Sequence, residues 1–131
     1  MCASVVRAVD TNVLVRLIAR DDAAQVAAAE EFVAAGAWVS QIVLVETVWV
    51  LDAVFELPPR RIAAALEMLL HHEHLTLQDA DTVARAVQHY LAKPALGFSD
   101  CLVLEAARKA GHLPLGTFDR ALGRKDGAVR L

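Results

Sequence analysis

Along this chain, short β-branched apolar runs alternate with longer stretches of helical period. Val5 to Val9 is such a run, ending at Asp10, and has the pattern of a buried strand. Thr11 to Arg20 places Val13, Leu14, Leu17 and Ile18 on one stripe, which predicts a helix. Asp21 or Asp22 is placed to cap the next helix, which runs to Ala35 and stops at Gly36. Ala37 to Val39 is a second strand candidate. Ser40 can cap a segment from Gln41 to about Glu56; its β-branched content suits a strand, but its length favours helix. Pro58-Pro59 separates it from a helix through Ile62, Leu66, Leu69 and Leu70. Leu75 to Leu77 predicts a strand, and Asp79 a cap for a helix reaching Lys93 before Pro94. A helix from Ser99 to Gly111, a strand from Pro114 to Thr117, a brief turn over Asp119 to Leu122 and an edge strand over Val129 to Leu131 complete the pattern.

Short strands alternating with helices imply an α/β sandwich around a mainly parallel sheet. With 131 residues and no repeat or linker, the whole chain, 1–131, is expected to be one domain. In such sheets ligands bind beyond the carboxyl ends of the strands, which directs attention to Asp10 and Asp119.

Composition narrows the function classes. Hydrophobic residues make up 56% of the chain and mean hydropathy is +0.41, which excludes a disordered chain. Much of the excess is alanine; the remainder suggests that some surface is covered by another chain. The longest apolar stretch, Ile42 to Phe55, is broken by Glu46, Thr47 and Asp52, short of the roughly 18 apolar residues a membrane span needs. Arg7 and Asp10 interrupt any signal-peptide pattern. Cys2 and Cys101 make no disulfide framework and are expected as free thiols in a reducing cytoplasm. A net charge of −3 means that nucleic acid, if bound, must be met by local cations and not by bulk charge.

Four acidic residues then stand out. Asp10 closes a strand and opens a helix, a position that also suits a simple N-cap. Glu46 interrupts Ile42-Val43-Leu44-Val45 and Val48-Trp49-Val50-Leu51, so its carboxylate must face a cation, a partner or water. Asp100 falls in a helix's first turn and Asp119 at the start of a short turn, where a dipole or capping role also fits. Taken together, carboxylates gathered at one place remain ionised only if a cation compensates them. Mg²⁺ and Mn²⁺ prefer such oxygen ligands, and at a phosphodiester they can activate water and neutralise developing charge.

The ordered set Asp10-Thr11-Asn12-Val13-Leu14-Val15-Arg16, Val45-Glu46, Phe98-Ser99-Asp100 and Thr117-Phe118-Asp119 resembles the PIN-domain family, most closely the VapC-type toxins of bacterial toxin–antitoxin pairs. The resemblance implies a three-layer α/β/α sandwich with a central, mainly parallel sheet. It implies Mg²⁺- or Mn²⁺-dependent endonucleolytic cleavage of RNA by water, leaving a 5′-phosphate and a 3′-hydroxyl. Asp10, Glu46, Asp100 and Asp119 match the family's acidic positions, with Asp10 and Asp100 foremost as direct metal ligands. Asn12 and Thr117 match the polar positions that support the pocket by hydrogen bonding. The family implies a cytoplasmic homodimer and a cognate antitoxin seated in an apolar groove, with no DNA binding expected without that antitoxin.

Other residues have competing readings. Arg120, Arg124 and Lys125 follow Asp119 and could contact phosphate, as could Arg16; a solvated basic turn fits the first three equally. His71 and His74 are spaced for one helical face, but further zinc ligands are missing nearby. Trp38, Trp49 and Phe55 are read as core or dimer interface, and 5% aromatics argues against recognition dominated by base stacking. Two other classes compete. An aspartyl-phosphate phosphoryl-transfer domain would want a second Asp where Asn12 stands, or a suitably placed late lysine. A catalytically inactive PIN-like binding module would keep the acids but not the turnover.

Overall fold

The structure, a computed structural model, describes residues 6–131; Cys2 and Val5, named above, lie outside the described residues. It divides into two compact units, with the boundary between Ala80 and Asp81. In chain order the first unit holds β1 (Arg7–Ala8), α1 (Thr11–Ala19), α2 (Ala23–Val33), β2 (Ala37–Val39), α3 (Gln41–Ala53), α4 (Pro59–His71) and β3 (Leu75–Leu77). The boundary falls at the first residue of α5 (Ala80–Ala92). The second unit continues with α6 (Phe98–Ala110), β4 (Leu115–Thr117) and β5 (Ala128–Arg130), and with two 3₁₀ turns, Pro94–Leu96 and Leu122–Arg124.

The strand pairing is parallel throughout, in keeping with a PIN-like α/β fold. In the first unit the order is β1-β2-β3, with Arg7 opposite Ala37 and Trp38 opposite Thr76. In the second unit β4 pairs β5 with Gly116 opposite Val129. The alternation of Ala37-Trp38-Val39 puts Ala37 and Val39 inside and Trp38 outward, as the pleat of a strand requires.

Local chemistry explains the boundaries. Ser40 accepts the Val43 N–H at 3.1 Å, and Gln78 Oε1 accepts the Gln41 N–H at 2.9 Å, so two free donors at the start of α3 are satisfied. That capping settles the helix-or-strand ambiguity of this segment in favour of helix. Inside α3 the buried Thr47 hydroxyl donates to the Val43 carbonyl at 2.7 Å, which removes the cost of a hydroxyl in an apolar environment. Asp22, of the two aspartates proposed, caps α2 by accepting the Gln25 N–H at 3.0 Å. Gly111 ends α6 in the left-handed region (φ 83°), a conformation that favours glycine.

One local expectation is corrected: Asp79 does not hold the extended backbone of an N-cap but turns left-handed, with φ 48°. The expected turn does begin at Asp119, whose carbonyl accepts the Gly123 N–H at 2.9 Å, and it runs on into a 3₁₀ turn over Leu122–Arg124.

In the first unit α1 packs on α2 and α3, and α4 packs on α3 and β3, burying Leu14, Val15, Leu44, Leu51, Ile62 and Leu69. In the second unit Val83, Val87, Leu104 and Leu122 are buried, and Tyr90 meets Phe98 edge-on at 6.3 Å between ring centres. Trp49 is 65% exposed, which overturns its reading as a core residue and leaves the interface alternative.

Candidate functional site

The four carboxylates fall into two pairs, one in each unit. In the first, Asp10 follows β1, whose direction is held by the Val9 N–H bond to the Trp38 carbonyl at 3.1 Å. Asp10 has extended backbone (φ −90°, ψ 170°) and accepts the Thr11 N–H at 2.7 Å through Oδ1. The buried Thr11 side chain turns the other way and donates its hydroxyl to Glu46 Oε2 at 2.9 Å. One residue therefore touches both acids, although they are far apart in sequence. Glu46 is exposed, so water solvates a carboxylate that would be prohibitive to bury alone.

In the second unit Asp119 stands two residues past the end of β4. The Thr117 hydroxyl accepts the Asp119 N–H at 3.0 Å, and Asp119 Oδ2 accepts the Leu122 N–H at 2.7 Å. Asp100, in the first turn of α6, is half-buried, and its carboxyl is held above the ordinary carboxylate range. Burial is the larger cause and the negative charge of Asp119 the second. This pair carries repulsion that a cation would relieve.

Among the described residues, no three or more His, Cys, Asp or Glu side chains gather as a metal-holding group. The donors present nevertheless fit a hard divalent ion. Mg²⁺ is commonly held by only one or two carboxylates with water and phosphate completing its shell. Among the described residues, Asp10 Oδ2, Glu46 Oε1, Asp119 Oδ1 and both Asp100 oxygens carry no protein hydrogen bond and remain able to coordinate. The histidines considered for zinc are otherwise engaged: His71 Nδ1 lies 2.8 Å from the Glu67 carbonyl, and His74 Nε2 lies 3.3 Å from Glu73.

The supporting and basic residues divide similarly. Asn12 and Arg16 line a cleft of about 460 Å³ together with Gln25 and Phe32. Arg16 pairs with Asp21 at 2.6 Å, so its charge is already partly neutralised. Arg120 and Arg124 are exposed, whereas Lys125 Nζ approaches His89 Nδ1 at 3.4 Å.

Two features lay beyond the sequence reading. Thr11 enters the sequence pattern only as the start of a helix and a member of the Asp10–Arg16 motif, and a hydroxyl's direction has no sequence signal. Glu105 is buried and accepts from Arg108 Nε at 3.2 Å, with His89 Nε2 at 3.1 Å. A single acid within an apolar helical stretch, three residues before an arginine, was its available signal.

With this geometry in view, comparison with protein-family models matches the PIN domain over residues 7–128. The chain belongs to the PIN-domain family. No curated protein matches it. PIN domains have a nuclease-type fold, are generally hydrolases of phosphodiester bonds and usually use divalent metal ions, which agrees with the oxygen-only donors of both pairs. Among the described residues of this PIN domain, no helix is long and apolar enough to cross a membrane.

Proposed function

We propose that the chain is a Mg²⁺- or Mn²⁺-dependent endoribonuclease, the toxin of a type II toxin–antitoxin pair, with residues 1–131 forming one PIN domain. In this reading Asp10, Glu46, Asp100 and Asp119 are the catalytic, metal-holding residues. The observation that carries it is the half-buried Asp100 carboxyl, held high first by burial and then by the charge of Asp119, in a chain of PIN type. The order and spacing of the four acids, and their likeness to VapC-type toxins, support the finer assignment.

A divalent ion, when bound, would acidify water and neutralise charge gathering on the phosphoryl group. The remaining work belongs to the chain. Thr11 aims Asp10 and Glu46 through its N–H and its hydroxyl. Thr117 fixes the backbone of Asp119, and the Leu122 N–H orients its carboxylate. Asn12 provides an amide beside Asp10. Arg120 and Arg124 are free to meet RNA phosphates, and Arg16 can do so from the cleft beyond Asn12. Lys125, engaged by His89, is better placed to brace its turn than to reach RNA.

The partners follow the same reading. A cleft of about 520 Å³ lined by Ile18, Leu51, Phe55, Leu57 and Met68 offers an apolar groove for an antitoxin segment. Ile42 and Trp49 are exposed on α3 and suit a homodimer contact. The buried free thiol of Cys101, pushed up to about 11 mainly by burial, is compatible with a reducing cytoplasm.

The test is cleavage of RNA by purified protein with Mn²⁺, compared with chelator and with Asp10→Ala and Asp100→Ala. Cleavage lost in both variants is expected, with 5′-phosphate and 3′-hydroxyl ends from the native protein. Full activity in both variants would show that the assigned site is wrong.

A further inference from the structure

Phe118 is the most exposed large apolar side chain among the described residues, with 80% of its surface open. It is also placed between two residues of the second carboxylate pair's support: Thr117, which ends β4, and Asp119. Its backbone is not loose. Thr117 pairs with Arg130 in the β4–β5 ladder, its carbonyl accepts the Leu131 N–H at 2.8 Å, and Asp119 is tied to Leu122 and Gly123. A flat ring is thus presented to solvent from a fixed support, next in the chain to Asp119 and followed by two exposed cations, Arg120 and Arg124.

We propose that Phe118 is a stacking platform for an unpaired RNA base adjacent to the phosphate handled at Asp119, with Arg120 and Arg124 meeting the flanking phosphates. The inference rests on the ribonuclease reading and names how its substrate is held. Single-stranded RNA offers splayed bases that stack on aromatic rings, and every base has a face to stack. An exposed aromatic followed in the chain by two exposed cations suits such a strand. In a protein of net charge −3, phosphate contacts must be local in this way. One ring does not make stacking the dominant recognition term; it fixes one nucleotide beside the chemistry. The rival occupant is a second copy of the chain, because Val129 and Leu131 of the β5 end are also exposed.

The experiment measures binding of a fluorescent single-stranded RNA by anisotropy in chelator, where cleavage is silent. Native protein is compared with Phe118→Ala and Phe118→Trp, on intact RNA and on RNA made abasic at single positions. Phe118→Ala is expected to weaken binding between about fivefold and a hundredfold, the range for loss of one stacked base. Phe118→Trp should retain binding, and one abasic position should abolish the difference between native protein and Phe118→Ala. Unchanged binding by Phe118→Ala would overturn the proposal. So would an equal loss on intact and every abasic RNA, or a loss explained by dissociation of a dimer in sedimentation. RNA binding without Mn²⁺-dependent cleavage in a parallel assay would leave Phe118's role standing and remove the nuclease reading; no RNA binding either in chelator or with Mn²⁺, and no cleavage, would remove both.

Discussion

Replacing Thr11 by valine separates the organisation of the site from the stability of the fold. The change keeps the buried volume near that of threonine and keeps the backbone N–H bond to Asp10, but deletes the hydroxyl that donates to Glu46 at 2.9 Å. Hydrogen bonds to charged groups are worth about 1.5–3 kcal/mol when the abandoned partner is buried. Glu46 is exposed, so water takes the vacated position, and the expected stability loss is about 1 kcal/mol or less. The effect on metal binding is larger, because the carboxylate loses its aim. Removing the hydrogen-bond partner of a ligand typically costs about 10–100-fold in affinity. Urea unfolding and Mn²⁺ titration calorimetry on Thr11→Val, with Thr11→Ser as the variant that keeps the hydroxyl, measure the two effects. A Mn²⁺ affinity within twofold of native in Thr11→Val would refute the reasoning, as would equal losses in Thr11→Ser.

Asp100→Asn should stabilise the metal-free protein at neutral pH. The folded state raises the Asp100 pKa, so its contribution is fully favourable below the ordinary value of 3.8 and is lost as pH rises through the folded value. The gain should therefore vanish in acid, where Asp100 is protonated in both states; thermal unfolding that shows equal effects at both pH values would contradict the burial and repulsion assigned to it. Arg108→Met should cost about 2–3 kcal/mol in urea unfolding, since it leaves the Glu105 carboxylate buried with only His89. Glu105→Leu should cost less, about 1 kcal/mol, because Arg108 keeps its 2.7 Å bond to the Asp126 carbonyl; the reverse order would defeat the account.

Most of the fold was legible because local signals agreed with each other. Ser40, Asp22 and Gly111 punctuate helices in the residue types their geometry demands, and Ala37–Val39 and Leu75–Leu77 alternate as strands do. One failure is Asp79, which has a cap's chemistry but a left-handed backbone. The acids and the charge problem of gathering them were visible in sequence, whereas the burial that chiefly raises the Asp100 pKa, with the charge of Asp119 behind it, depends on the fold. The 3₁₀ turn at Pro94–Leu96 was missed because its proline marked a stop and carried no helical period of its own. Thr11, a small polar residue beside a more conspicuous one, proved to be the link between two of the acids.

The proposed function requires that these carboxylates bind a divalent ion. Calorimetric titration of Mn²⁺ into native protein, Asp10→Ala and Asp100→Ala tests it most directly, because each variant disables a different pair. Saturable Mn²⁺ binding by the native protein, lost or strongly weakened in each variant, is the predicted result. No saturable Mn²⁺ binding to the native protein would contradict it, as would native affinity in both variants.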